Sequence, residues 1–353
     1  MAALEDNNNN SNCNTLPKFW VVDSFAIDGK YGSGNPAAVV LLPNNFDTTT
    51  NTDPQKIEWM KIVACEFNLS ETAFVWKNND AAVGDSQKKN SYQIRYFSGT
   101  GIEVDLCGHA TLAAAQVVFL QQGKMDKKVP GDDEITFATK FIELKAYRDN
   151  TNDGGSSNII MDFPWREVDP IQESSVEESI KEMLGESLNI NEEEIILLGV
   201  GDNDAEDLFV HITSKAFHAM PTEKSDIDFG RMMACPGYNR GIIICCQNDD
   251  VTVKADFLSR FFGPKVGIDE DPVTGSAHCL LASYFSRRVL MDKNTSTVRG
   301  MQASKRGGML KCEILDECDK SNNAGNASAS GVDRYVRIIG SALVASSGKL
   351  HIQ

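Results

Sequence analysis

Two stretches of the chain are built alike, and both end in side chains that do chemistry. Arg95-Tyr-Phe97 leads through a glycine-containing acidic loop to Cys107-Gly-His-Ala-Thr-Leu112. Arg260-Phe-Phe262 leads through another to Asp271-Pro-Val-Thr-Gly-Ser-Ala277. Each then opens an apolar helix, at Gly108 and at Gly275. A helix start offers unpaired N–H groups and a partial positive charge, so two of them aimed at one cleft would seat a carboxylate. His109, one residue inside its helix, could donate to a substrate oxygen, relay a proton near neutral pH, or cap its own helix. Asp271 and Ser276 could orient a hydroxyl or amino group of a ligand, whereas before Pro272 an aspartate also suits a plain turn. Glu71 stands between Ser70 and the apolar run Thr72-Ala-Phe-Val75. At the mouth of a cleft, burial would raise its pKa and let it both take and give a proton; at a solvent-facing edge it would do neither. Glu103 and Asp105 read as solvated loop charges.

The elements that must hold these groups follow from pattern. Residues 19–27, 37–42, 72–76 and 92–97 read as strands, with the glycine-rich turn 32–36 joining the first two. Asp53 followed by Pro54 is a helix start, continued by Ile57, Met60, Val63, Ala64 and Phe67 at helical spacing. Residues 108–120 are apolar nearly all round, which predicts a buried helix. The second half repeats the theme: strands at 158–163, 195–200, 208–212, 241–245 and 251–257, a second buried helix over 275–285, and a closing sheet from 308–315 and 335–339. Ser175 with Glu178 forms a capping-box pattern ahead of Ile180, Met183 and Leu184. Polar stretches at 78–90, 148–157 and 319–332 read as loops, the middle one as a boundary between domains over 17–147 and 158–353. Residues 1–16 read as a disordered, cytosolic tail without the apolar stretch of a secretion signal or the arginines of a transit peptide.

Composition narrows the function. The 353 residues carry 34 basic and 50 acidic side chains, a net charge of −16, which disfavours nucleic acid as a partner. No apolar run reaches the roughly 20 residues a membrane helix needs. Nine cysteines without a C-x-x-C spacing fit free thiols in a reducing cytoplasm, and the five histidines form no zinc pattern. Gly32-Ser-Gly-Asn-Pro-Ala37 matches a dinucleotide fingerprint only superficially, because an apolar strand and Pro43 follow where a long helix is required.

Five motifs occur together: Asp23-Ser-Phe25 with Gly34-Asn-Pro-Ala-Ala-Val-Val-Leu-Leu42; Asn68-Leu-Ser-Glu-Thr-Ala-Phe74; Ile94-Arg-Tyr-Phe97 with Glu103 and Leu106-Cys-Gly-His-Ala-Thr-Leu112; Glu270-Asp-Pro-Val-Thr-Gly-Ser-Ala-His-Cys279; and Gln302-Ala-Ser-Lys-Arg-Gly-Gly308. In this order, from Phe19 to the chain end, they resemble the PhzF family of phenazine biosynthesis. The resemblance implies a diaminopimelate epimerase-like α+β fold, with two pseudo-symmetric domains, each a curled sheet around a central helix, and the site between them. It implies a cofactor-independent isomerase, a homodimer, acting on a small carboxylate-bearing molecule. Glu71 would be the general acid/base, His109, Asp271 and Ser276 would bind substrate, and Gly108 and Gly275 would supply helix-start backbone beside it.

Cys107 keeps a second reading open. Epimerases and racemases of this fold oppose two cysteines, one per domain, and Cys107 fills the first position. The second stretch offers Thr274 and Ser276, alcohols too weak to replace a thiolate unaided, while Cys279 lies one turn in and faces away from the helix mouth. The alternatives are thus a cysteine-dependent amino-acid epimerase, or a non-catalytic binding protein on the same fold.

Overall fold

The computed structural model describes residues 16–43, 53–78, 90–122, 134–149, 158–202, 206–290, 296–315 and 334–351. Residues 1–15 of the tail expected over 1–16, and most of the three loops and the boundary at 148–157, lie outside them. The first half runs β1 (Lys18–Ala26), β2 (Asn35–Leu41), α1 (Pro54–Phe67), β3 (Glu71–Lys77), β4 (Ser91–Ser98), β5 (Glu103–Val104), α2 (Gly108–Gln121), β6 (Glu134–Ala138), β7 (Glu143–Arg148) and β8 (Asn158–Pro164). The second runs β9 (Val168–Pro170), α3 (Ser174–Leu188), β10 (Ile195–Gly201), β11 (Leu208–Ile212), α4 (Ser214–Ala219), α5 (Phe229–Ala234), β12 (Ile242–Gln247), β13 (Phe257–Gly263), β14 (Ile268–Asp271), α6 (Gly275–Tyr284), β15 (Thr297–Gln302), β16 (Gly308–Leu315) and β17 (Tyr335–Lys349).

The two halves pair their strands by one scheme. In the first, β1–β2 is antiparallel, β2–β3 parallel, β3–β4 antiparallel, β4–β6 parallel and β6–β7 antiparallel. In the second, β10–β11, β11–β12, β12–β13, β13–β15 and β15–β16 repeat that sequence of senses. Arg95 clamps Glu103 through Nε and Nη2, both at 2.7 Å, and Arg260 clamps Glu270 at 2.7 and 3.0 Å. Each pair pins the short strand that feeds a central helix. The duplication read from the echoing stretches is therefore present in pairing and in side chains. Glu103 is correspondingly not a solvated loop charge, for Arg95 and Lys140 both hold it. The seam is β17, which pairs with β16, β8 and β1 and so returns the chain end to the first half.

Each central helix is apolar on every side because strands wrap it. In α2 every residue from His109 to Phe119 is buried, and in α6 every residue from Ala277 to Tyr284. Both helices share one hydrophobic core with β1, β13 and β17 residues such as Val22, Phe257 and Ile338. At about 25 cal/mol per Å2 of apolar surface removed from water, such a core dominates stability and fixes both helix mouths in space. Two local expectations differ. Helix α3 starts at Ser174 with Glu173 as its cap and no side-chain capping bond, so Ser175 sits inside the first turn and no capping box forms. Residues 251–256 are not strand: Asn248 Nδ2 donates to the carbonyls of Asp250, Val253 and Ala255, a folded loop that leaves Val251 in solvent. The strand there begins at Phe257. Among the described residues no helix is long and apolar enough to cross a membrane.

Candidate active site

The site is built where β2, β3 and β14 end against the two helix mouths. Gly34 makes the turn that allows it. Its φ is +77°, and a Cβ there would meet the Ser24 carbonyl at 2.4 Å, so only glycine lets β2 start beside β1. Asn35 then enters β2 fully buried. Its Nδ2 donates to Asp271 Oδ1 at 2.8 Å and to the Val273 carbonyl at 2.9 Å, and lies 3.3 Å from His109 Nδ1. Its Oδ1 accepts from Ser70 Oγ. One amide thereby ties the first half to the turn that opens α6.

Glu71 is the first residue of β3 and is buried, paired with Ala37 on one side and Ser98 on the other. Its Oε2 lies 3.2 Å from His109 Nε2. Burial, with the nearby Asp271 charge, raises its pKa to about 7, against a hydrogen bond from the Cys107 thiol. Asp271 ends β14, also buried, and desolvation lifts it to about 6 despite hydrogen bonds from Thr274 and Asn35 and the charge of Arg240. Two carboxyls from opposite halves thus each carry a proton more readily than an exposed one does.

His109 is held by the same wrapping that buries α2; its own carbonyl accepts from Ser24 Oγ at 2.7 Å. Burial drops its pKa to about 3, so the ring is neutral. Nδ1 lies 3.3 Å from the Asn35 amide nitrogen and 3.3 Å from the Cys107 sulfur. Nε2 faces Glu71 Oε2, and an ionised carboxylate can only accept, so with Glu71 ionised the ring proton resides on Nε2. The imidazole is a neutral donor to the acid, not a cation.

Gly275 and Ser276 form the first turn of α6. Gln302 fixes it by accepting from Thr274 N at 2.8 Å through Oε1 and donating to the Asp271 carbonyl at 2.7 Å. Arg306 of the same motif reaches Asp23 and the Gly34 carbonyl, bracing the turn before Asn35. Gly108 is crossed by the Phe163 ring and Gly275 by the Phe25 ring, the latter from a residue at φ +58°. A non-glycine in that region is strained, and the surrounding packing against Gly275 and Gly340 holds it there. Ser276 is half-buried, its Oγ accepting from Arg240 Nη2 at 3.1 Å.

All the expected residues (Glu71, His109, Asp271, Ser276, Gly108, Gly275 and Cys107) are buried or half-buried at these mouths. Hydrogen bonds join Asn35 to Asp271 and to His109, and His109 to Glu71 and Cys107. Three contributors escaped the sequence reading. Asn35 and Gln302 were inside motifs already singled out, and their burial was the missing signal. Arg240 stands in no motif at all.

Cys107, Glu71 and His109 each offer a ligand atom within 4.8 Å of the others. A soft cation such as zinc accepts this donor set. However, His109 turns Nδ1 to the thiol and Nε2 to the carboxylate, while one ion takes one nitrogen, so the arrangement serves hydrogen bonds better. In the position equivalent to Cys107, Thr274 donates its hydroxyl to Asp271, and Cys279 Sγ reaches the Gly275 carbonyl of its own helix. Burial and the neighbouring Glu71 push the Cys107 thiol well above its ordinary pKa. Iodoacetamide should therefore label Cys107 more slowly than exposed Cys65, with a rate that rises up to alkaline pH, and Cys107→Ala should cost little activity. Fast labelling of Cys107 that does not vary with pH, read by peptide mass spectrometry, would favour a thiolate base instead.

Comparisons with known proteins place the family and the fold. The PhzC-PhzF family profile, described as "Phenazine biosynthesis-like protein", matches residues 22–334. An uncharacterized isomerase of Halalkalibacterium halodurans is 35% identical over 295 residues, covering 84% of this chain and 90% of that protein. A phenazine biosynthesis-like domain-containing protein of Homo sapiens is 33% identical over 299 residues, covering 84% and 90%. The crystal structure of a PhzF family protein from Enterococcus faecalis superimposes with a TM-score of 0.67 at 28% identity, covering 96% of this chain and 100% of that one.

Proposed function

Because the chain belongs to the PhzC-PhzF family of phenazine biosynthesis-like proteins, several of whose relatives bear the name isomerase, we propose that it is a cofactor-independent isomerase shuttling a proton within a small carboxylate-bearing molecule. The observation that carries this reading is the Glu71 carboxyl, held near neutrality at about 7 by burial and by Asp271, with a neutral imidazole donating to it. A group poised near the working pH is equally able to accept and to return a proton.

The step balances without a redox partner. Ionised Glu71 takes a proton from a C–H bond, and the electron pair moves toward the substrate's carboxyl group. The helix-start N–H groups at Gly108 and Gly275 stabilise the developing negative charge, with Ser276. Protonated Glu71 then returns the proton to another atom of the same molecule. His109 Nε2–H steadies the ionised form of Glu71 before the first transfer and after the second, and Asp271 and the Asn35 amide hold the second helix mouth in place. The two buried acids and the histidine in one hydrogen-bonded set speak against a binding protein, which has no use for them. The family resemblance supports a homodimer, and the buried free thiols support a reducing, cytoplasmic setting.

The test is isotope exchange. The protein is incubated in deuterium oxide with the small-carboxylate fraction of cell extracts, and mass spectrometry follows each component. We expect one component to gain deuterium at carbon, undiminished by a metal chelator. Exchange abolished by the chelator, or no exchange in any component, would refute the reading.

A further inference from the structure

The internal duplication compares the two halves residue by residue. In the first half Arg95, which clamps Glu103, lies opposite Phe74; in the second Arg260, which clamps Glu270, lies opposite Ile244. Phe74 and Ile244 are thus equivalent, and three residues back so are Glu71 and Gly241. Where the first half has the acid, the second has a hydrogen, and the residue before it changes from Ser70 to Arg240.

Arg240 is held in a definite pose. Nε donates to Asp207 Oδ1 at 2.9 Å, Nη2 reaches Asp207 Oδ2 and Ser276 Oγ, and the guanidinium lies over the Phe261 ring. Asp207 is wholly buried and also accepts from the Gly241 N–H. Nη1 makes no hydrogen bond among the described residues, and 30% of the Arg240 side chain remains exposed. A planar guanidinium fixed by a bidentate carboxylate offers a rigid cation with donors to spare. Because Arg240 donates to Ser276 Oγ, the Ser276 hydroxyl hydrogen is left for another acceptor.

Resting on the isomerase reading above, we propose that Arg240 is a specificity-determining residue that selects substrates bearing a carboxylate at the α6 mouth. The duplicated site is divided by charge: the first half moves the proton through Glu71, and the second half recognises the anion through Arg240 and Ser276. Asp207 is a positioning residue for Arg240.

The test uses a pair of near-isosteric probes, anthranilate and 2-aminobenzamide, with binding to the full chain measured by calorimetry. The wild type should prefer the carboxylate. Arg240→Met should weaken anthranilate by about 10–100-fold and leave 2-aminobenzamide unchanged, as expected on losing a hydrogen bond to a charged group. Arg240→Lys should restore part of the preference. Since Arg240→Met strands the buried Asp207, the same measurement is made on Arg240→Met with Asp207→Asn, which removes the charge pair together. An unchanged preference in these variants, or equal weakening of both probes, overturns the role of Arg240 while leaving the isomerase reading standing. A wild type that binds neither probe, or both equally, overturns the carboxylate seat and Arg240 with it.

Discussion

Glu71→Gln should lower kcat by about 10²–10⁴-fold in the exchange assay, because a primary amide keeps the shape of the acid but cannot shuttle a proton. The fold should survive, since the amide oxygen still accepts from His109 Nε2. A second readout separates this from a general disturbance. The carboxyl of Glu71 goes from an ordinary value of 4.5 to about 7 on folding. Between those values the native state binds more protons than the unfolded one, so the stability gained from protonated Glu71 is complete at pH 4 and is lost as pH rises through 7. The displacement corresponds to about 3 kcal/mol. Glutamine does not titrate and escapes that loss. Relative to wild type, Glu71→Gln should therefore gain about 3 kcal/mol between pH 4 and pH 8 in urea denaturation, while activity collapses. A kcat loss below about tenfold, or a stability difference flat with pH, would remove Glu71 from the reaction.

That a buried carboxyl weakens the fold at neutral pH explains why so much of the neighbouring sequence is structural. Glu71 and Asp271 come from different halves; burial raises the cost of ionising both, and the Asp271 charge adds to it for Glu71. The site tolerates them only because Gln302, Arg306 and Asn35 lock the turns that carry them. The motif Gln302-Ala-Ser-Lys-Arg306 holds backbone and turn, with Ser304 Oγ on the Pro272 carbonyl and Arg306 on Asp23, and nothing in it touches Glu71 or His109. Its role is geometry.

Local pattern made the two central helices legible, since apolar runs without a polar face have no place but the inside of a wrapped sheet. The Asp53-Pro54 start of α1 was legible as well: Asp53 accepts from Gln55 N and Met60, Val63 and Ala64 are buried. Residues 251–256 misled because Val251 and Val253 alternate as a strand would, while the Asn248 amide collects three carbonyls and turns the backbone away from any ladder. Glu103 misled for a related reason. Its partner Arg95 is eight residues earlier, and only the antiparallel return of β5 onto β4 brings them together. Arg240 was invisible because its neighbours in the site, Asp207 and Ser276, are 33 and 36 residues away in sequence. Spacing arguments work within an element; the site is assembled across five.

Asn35→Ala should be the most damaging change outside the proton-transfer group itself. The amide satisfies Asp271 Oδ1 and the Val273 carbonyl, both buried, at 2.8 and 2.9 Å. Removing it leaves two desolvated acceptors without a donor, at about 1–3 kcal/mol each, so urea denaturation should report a loss of about 2–5 kcal/mol. Asn248→Ala supplies the contrast. That amide also serves three carbonyls, but in a loop open to solvent, where water takes over the lost bonds and the cost should stay below about 1 kcal/mol. The effect on activity has its own signature. The Asn35 hydrogen bond is one of the interactions holding the Asp271 pKa down, so without it Asp271 rises further and is protonated to a larger extent at neutral pH. Its negative charge then no longer raises Glu71, and the pKa of the acid/base falls. The pH profile of the Asn35→Ala enzyme should accordingly shift toward acid, on top of a fall in kcat from a loosened second helix mouth, where displacements of about 1 Å cost on the order of 10²-fold. If Asn35→Ala were as mild as Asn248→Ala and left the pH profile in place, the two halves would not be coupled through this amide, and Asp271 would not be what helps to raise Glu71.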